Sequence, residues 1–150
     1  MGDLRDALPP GAALVVTSDH GQVQVDEAAI PVAGELMADV ELLSGEGRFR
    51  WLHAAPDAAA RLARAARALY GDLAWVHTRE ELVEQGWFGG EPTPEVAGRL
   101  GDVALVPFEA VAFDDPADTG ETRLVCRHGS LTAEECLVPL LATTGTTGGG

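Results

Sequence analysis

The chain has no lysine, no asparagine and a single isoleucine, Ile30, and all ten of its basic residues are arginine. With alanine and glycine abundant, this bias reads as GC-rich coding. An arginine therefore says little by not being lysine, and a lone glycine says little about a turn. Basic charge is itself scarce: ten residues against 24 acidic ones, for a net charge of −14. That excludes a protein that grips a phosphate polymer by charge alone. Two cysteines, Cys126 and Cys136, are too few for a disulfide scaffold or a four-ligand zinc knuckle. No apolar run approaches the roughly 18–20 residues of a membrane span. The opening stretch, Met1 to Pro10, lacks the basic head and apolar centre of a signal peptide. What is present is 150 residues, 46% of them hydrophobic. That is the size of one modest domain, with enough apolar surface for a core. The expectation is a soluble, acidic, cytoplasmic domain.

Local patterns predict alternating helices and strands. Asp3 to Leu8 can make one or two helical turns before Pro9, Pro10 and Gly11. Ala12 to Thr17 is a continuous apolar run, the pattern of a strand buried on both faces in a parallel sheet. It stops at Ser18-Asp19-His20-Gly21, the carboxyl edge where open α/β sheets bind ligands. Val40 to Leu43 and Arg48 to His53 read as a strand pair joined through Ser44-Gly45-Glu46-Gly47. Asp57 to Tyr70 reads as a helix, with Leu62, Ala66 and Leu69 on one side and Arg61, Arg64 and Arg67 on the other. That arginine side is expected to be a solvated face. A strand from Leu73 to His77 leads to Thr78 and Glu81, a capping box for a helix that Gly86 ends. Trp87 and Phe88 then step into a Gly- and Pro-rich loop, where they are expected to pack. Val103 to Pro107, Glu109 to Phe113 and Leu124 to Cys126 are short strands. Thr132 and Glu135 repeat the capping-box spacing, with Leu131 and Cys136 at the staple positions and Pro139 limiting the helix. Residues 143–150, all Thr and Gly, are expected to be disordered. The class is α/β.

Few of these residues carry chemistry. Asp19 and His20, at a strand end, are a hard and borderline donor pair suited to a divalent metal, above all zinc. His128, in Arg127-His128-Gly129-Ser130, also follows a short apolar strand. His53 and His77 lie in or end strand-like stretches and read as edge or surface residues. Cys126, two before His128, invites a Cys-x-His reading but has no further cysteine nearby, and both cysteines look like small core hydrophobes. No nucleophile stands out. Neither Ser18 nor Ser130 lies in a Gly-x-Ser-x-Gly elbow, and there is no phosphate-cradling Gly-Lys motif.

Four stretches, in order, resemble a known family: Val15 to Gly21, Tyr70 to Gly90, Gly101 to Val106 and Arg127 to Glu135. They are similar to the C-terminal part of bacterial proteins of the alkaline phosphatase superfamily, in its nucleotide pyrophosphatase/phosphodiesterase-like branch. The resemblance runs from about Leu4 to Leu141, and rests most on Asp19-His20-Gly21 paired with the downstream His128-Gly129-Ser130-Leu131-Thr132-x-x-Glu135. It implies part of an α/β/α sandwich spanning residues 1–142, with a small α+β cap-like insertion at about 22–123. It also implies two metals, usually zinc. Asp19 and His20 would hold the one that also holds a nucleophilic Ser or Thr, and His128 the other. The family's remaining Asp, its nucleophile and an Asp-x-x-x-His pair have no counterpart in the 18 residues before Asp19.

The expected function is therefore that of a C-terminal segment of a metal-dependent phosphoric ester hydrolase. It would contribute ligands toward small nucleotide or phosphodiester substrates and be inert alone, with no catalytic residue of its own. Neither a nucleic acid polymer nor a membrane is expected as a partner. The alternative is a non-catalytic binding or assembly module, docking through uncovered sheet or with a missing N-terminal half. A mutase or sulfatase of the same superfamily would share the metal motifs.

Overall fold

The computed structural model describes residues 2–25, 29–118, 120 and 124–145. In chain order its elements are α1 (Gly2–Asp6), β1 (Ala13–Thr17), β2 (Val23–Gln24), β3 (Ala29–Pro31), α2 (Gly34–Met37), β4 (Val40–Glu46), β5 (Phe49–Ala54) and α3 (Ala59–Tyr70). There follow β6 (Ala74–Thr78), α4 (Arg79–Glu84), α5 (Pro94–Ala97), β7 (Val103–Pro107), β8 (Ala112–Asp114), β9 (Cys126–Arg127), α6 (Ala133–Cys136) and β10 (Leu140–Thr144). The mixture of helix and sheet is the α/β class that the sequence predicts. No described helix is long and apolar enough to cross a membrane.

The core is built on an antiparallel sheet in the order β4-β5-β7-β6. Every residue of β7 is buried, and successive side chains serve opposite faces. Val103 and Leu105 pack with Leu62, Ala63, Ala66 and Tyr70 of α3, and with Phe113. Ala104 and Val106 turn the other way, to Trp51, Leu82 of α4, Trp87 and Leu100. A strand covered on both sides has no polar face to alternate with, so its sequence is a continuous apolar run.

Three expectations are corrected. The two-sided burial expected of Ala12–Thr17 belongs to β7, not to β1. β1 pairs antiparallel with β10 in a two-stranded ribbon, its residues alternate between exposed and half-buried, and β3–β8 is the only parallel ladder among the described residues. On α3 the inward stripe is Leu62, Ala63, Ala66 and Tyr70, while Leu69 is exposed; the Tyr70 hydroxyl oxygen accepts the Ala33 N–H at 2.8 Å. Thr143 and Thr144, expected in a disordered tail, pair with Leu14 and Ala13, and the Gly145 N–H donates to the Ala12 carbonyl. A backbone ladder anchors them without any help from side chains. Residues 146–150 and the far boundary of the expected insertion, at 123, lie outside the described residues.

The hairpin is also tighter than its spacing predicts. Glu46 pairs with Phe49, so the turn is Gly47-Arg48 and Gly45 belongs to the strand. Outside the central sheet the ladders are nested, β3 with β8, β2 with β9 and β1 with β10. This nesting brings the stretch after β1 beside the stretch after β9.

Candidate metal centre

The β2–β9 ladder explains how two distant histidines meet. Val23 lies opposite Arg127 and Gln24 opposite Cys126. Extending that register one step sets Gln22 beside His128, with His20 two residues further along. The rings of His20 and His128 are stacked, with centroids 3.8 Å apart and planes 17° from parallel. Sequence reading singled out both residues, and the fold brings them into contact.

Each side of the pair is held by its own loop. Around His20, the Asp19 carboxylate accepts the His20 N–H at 3.1 Å and Ser18 Oγ donates to the His20 carbonyl at 2.6 Å. His20 Nδ1 lies 2.8 Å from the Gly21 carbonyl oxygen. A carbonyl only accepts, so this nitrogen carries a hydrogen, and in the neutral ring Nε2 then keeps the lone pair. His20 Nε2 lies 3.9 Å from Asp19 Oδ1, and the Asp19 side chain is 89% exposed. Two bonds of about 2.0–2.2 Å at a tetrahedral angle set donors about 3.4 Å apart, so this nitrogen and oxygen would have to close by about 0.5 Å to share one zinc. A carbonyl fixing the other ring nitrogen is the usual arrangement behind a metal-ligating histidine. The donor types and the tautomer fit a divalent cation such as zinc.

The number of donors does not complete a centre. Among the described residues no three His, Cys, Asp or Glu side chains form a group able to hold a metal ion, whereas zinc takes three or four protein ligands. Ring-nitrogen lone pairs lie in the ring planes, so two near-parallel stacked rings do not aim them at one point. Cys126 is half-buried in β9 and lines, with Gln22, Glu46, Leu124, Val125 and His128, a cleft of about 420 Å³. Cys136 is exposed, and Leu131 is half exposed, so the expected staple and core role of Cys136 is not realised.

The other histidines are bonded locally. His53, on the interior strand β5, has Nε2 2.8 Å from Ser44 Oγ; His77, on the edge strand β6, lies 3.5 Å from Glu81 and packs edge-on to Trp87. Trp87 also meets Phe49 and Trp75, the packing role expected of it. Arg61 is paired with Asp39 and Arg67 with Glu81 and the Val76 carbonyl, so the arginine side of α3 is a solvated, ion-paired face.

Sequence reasoning missed the residues that hold the His128 loop. Thr132 and Glu135 do not form a capping box: Thr132 makes no side-chain cap. Its hydroxyl donates instead to Glu135 Oε2, at 2.6 Å. The Glu135 carboxylate also accepts the Ser130 N–H at 2.9 Å and a two-pronged contact from Arg48, at 2.9 and 2.8 Å. Both charged side chains are buried. Burial alone would raise the Glu135 carboxyl; the donors from Arg48, Thr132 and Ser130 outweigh it and hold the group below the usual carboxylate range. The Thr132–Glu135 spacing was the only signal in the sequence, and nothing there announces Arg48 as their partner.

The fold is an α/β arrangement that solved structures share. Among solved structures, phosphonoacetate hydrolase from Sinorhizobium meliloti 1021 in complex with phosphonoformate is similar, with a TM-score of 0.60 and 20% identity, over 93% of this chain and 38% of that one. Murine ectonucleotide pyrophosphatase/phosphodiesterase 5 is similar with a TM-score of 0.61 and 19% identity, over 91% of this chain and 35% of that one. An inactive variant of the murine protein in complex with AMP gives 0.60 and 19%, over 91% and 34%. The resemblance to the nucleotide pyrophosphatase/phosphodiesterase-like branch of the alkaline phosphatase superfamily thus holds at the level of fold. The chain spans little more than a third of the length of these structures. No family model and no curated protein matches the sequence.

Proposed function

We propose that this chain is the C-terminal segment of a metal-dependent phosphoric ester hydrolase of the phosphodiesterase/nucleotide pyrophosphatase type. Asp19 and His20 would hold one divalent cation and His128 a second, both zinc in the complete enzyme. The observation that carries this reading is the 3.8 Å stack of His20 on His128. Rings stacked at that spacing would each hold their own cation, and in two-metal sites the cations lie about 3.5–4 Å apart. Cations held there would supply positive charge to phosphoryl oxygens and would lower the pKa of an attacking oxygen. The chain's own residues orient: the Gly21 carbonyl fixes the His20 tautomer, and the cleft beside His128 leaves room for a substituent of a small nucleotide or phosphodiester. The four-stranded sheet with α3, lying between the two motifs, is the cap-like insertion in this reading.

With no nucleophile and an incomplete donor set, the chain alone binds metal weakly and cleaves nothing. Calorimetric titration with zinc should show binding that His20→Ala and His128→Ala each weaken at least tenfold, with no hydrolysis of an aryl phosphodiester. Wild-type affinity equal to that of the His20→Ala variant would end the ligand assignment, and hydrolysis lost on His20→Ala would end the claim of inertness.

One observation favours a second reading, a docking or assembly module. Val15 is 58% exposed, Leu137 76% and Leu140 75%, all on or beside the β1–β10 ribbon. A partner chain covering them would bury apolar surface. Light scattering that gives a strict monomer, without hydrophobic-dye binding, would remove that alternative.

A further inference from the structure

We infer that Glu135, gripped by Arg48, is a positioning residue that sets His20 against His128; its consequence for metal binding rests on the ligand reading proposed above. Glu135 is hydrogen-bonded to both histidine loops. Its backbone carbonyl accepts the Gly21 N–H at 2.8 Å, directly after His20. Its carboxylate accepts the Ser130 N–H at 2.9 Å, two residues after His128. The same carboxylate is tied to the core through Arg48, whose other donors reach the Pro107, Glu109 and Val111 carbonyls at 3.2, 2.8 and 2.7 Å. Ser130 Oγ donates to that same Pro107 carbonyl. The end of β7 is therefore a fixed reference from which both loops are measured.

A buried ion pair is a poor device for stability, since well-packed apolar residues of equal volume do as well or better. What it offers is direction, because each of its bonds ends on a particular main-chain or hydroxyl atom. Two glycines show how closely the loops are fitted. A Cβ on Gly21 would stand 1.8 Å from the Glu134 carbonyl oxygen. Gly129, at φ 122°, follows His128 in a conformation that other residues rarely adopt, and its Cβ position lies 3.1 Å from Glu46 Cβ.

The test uses the whole chain and a readout that needs no metal. In wild type, nuclear Overhauser contacts between the His20 and His128 ring protons should be present. Glu135→Gln keeps the shape of the side chain but turns one acceptor oxygen into a donor facing Arg48 or Thr132. It should keep far-UV circular dichroism and dispersed amide signals yet lose the inter-ring contact, and its zinc dissociation constant should rise about 10–100-fold. Gly21→Ala, which leaves Glu135 intact but pushes the His20 loop off it, should do the same. Thr132→Ser, which keeps the hydroxyl donor, should retain both properties.

A folded Glu135→Gln variant that keeps the inter-ring contact overturns the inference. One that loses the contact with no change in zinc affinity, where wild type binds zinc, upholds the positioning role and defeats the ligand reading. If Glu135→Gln does not fold, Gly21→Ala decides, and persistence of the contact there overturns it. Loss of the contact in a protein whose wild type binds no zinc upholds the positioning role and defeats the metal reading alone.

Discussion

A buried carboxylate must collect its donors from the protein, and Glu135 takes them from Arg48, Ser130 and Thr132. Its folded pKa is lowered from 4.5, the value of an ordinary glutamate. For a depressed carboxylate, the folded state binds fewer protons than the unfolded state. The stabilisation is therefore complete above the unfolded value and is lost as pH falls through the folded one. Urea midpoints measured at pH 7 and pH 3 should drop further for wild type than for Glu135→Gln, which has no such proton to take up. Equal drops would mean that the carboxylate contributes no pH-linked stability. Some of this was legible. Asp19, His20 and His128 stand out because donor types follow short apolar strands. Their meeting was not legible, because it depends on the register of a two-residue ladder, β2 with β9. Arg48 was invisible for a different reason: arginine is normally exposed, and its burial depends on three carbonyls from the 107–111 stretch.

Elements with local signals were read well and those needing distant cover were not. The Thr78–Glu81 capping box forms as its spacing predicts: Thr78 Oγ1 accepts the Glu81 N–H, and the Glu81 carboxylate accepts the Thr78 N–H. That return bond from Thr78, aided by Arg67 and opposed by burial, lowers the Glu81 carboxyl. Thr78→Ala should cost about 1 kcal/mol in chemical denaturation, and Thr78→Ser should restore most of it. A loss within error for Thr78→Ala would show that tertiary packing of Leu82, not the cap, holds α4 in place. The same Thr-x-x-Glu pattern at Thr132 produced a different structure, because Arg48 and Ser130 compete for the Glu135 carboxylate. Capping-box spacing thus reports two side chains able to bond, and tertiary donors decide what they bond to. β1 was misjudged likewise: an apolar run records what a strand can bury, whereas the neighbours that would bury it are set by the rest of the fold.

Across the whole molecule, order should follow the distribution of cover. β7 has ladder partners on both edges and packed side chains on both faces. The β1–β10 ribbon has one ladder, and along it Val15, Leu140 and Leu141 remain exposed. A lone two-stranded ribbon is marginally stable in water. Such a unit opens locally, well below the free energy of global unfolding. Native-state hydrogen exchange should therefore find the β1 and β10 amides exchanging orders of magnitude faster than those of β7, at rates insensitive to a core variant such as Leu62→Ala. That substitution, which empties a fully buried site on α3, should speed the β7 amides by an amount matching its cost of about 2–5 kcal/mol. Protection of β1 equal to that of β7 would contradict the ribbon's isolation. If that protection fell on dilution, another copy or partner must be covering the ribbon, and exchange measured across a concentration series separates this from intrinsic stability.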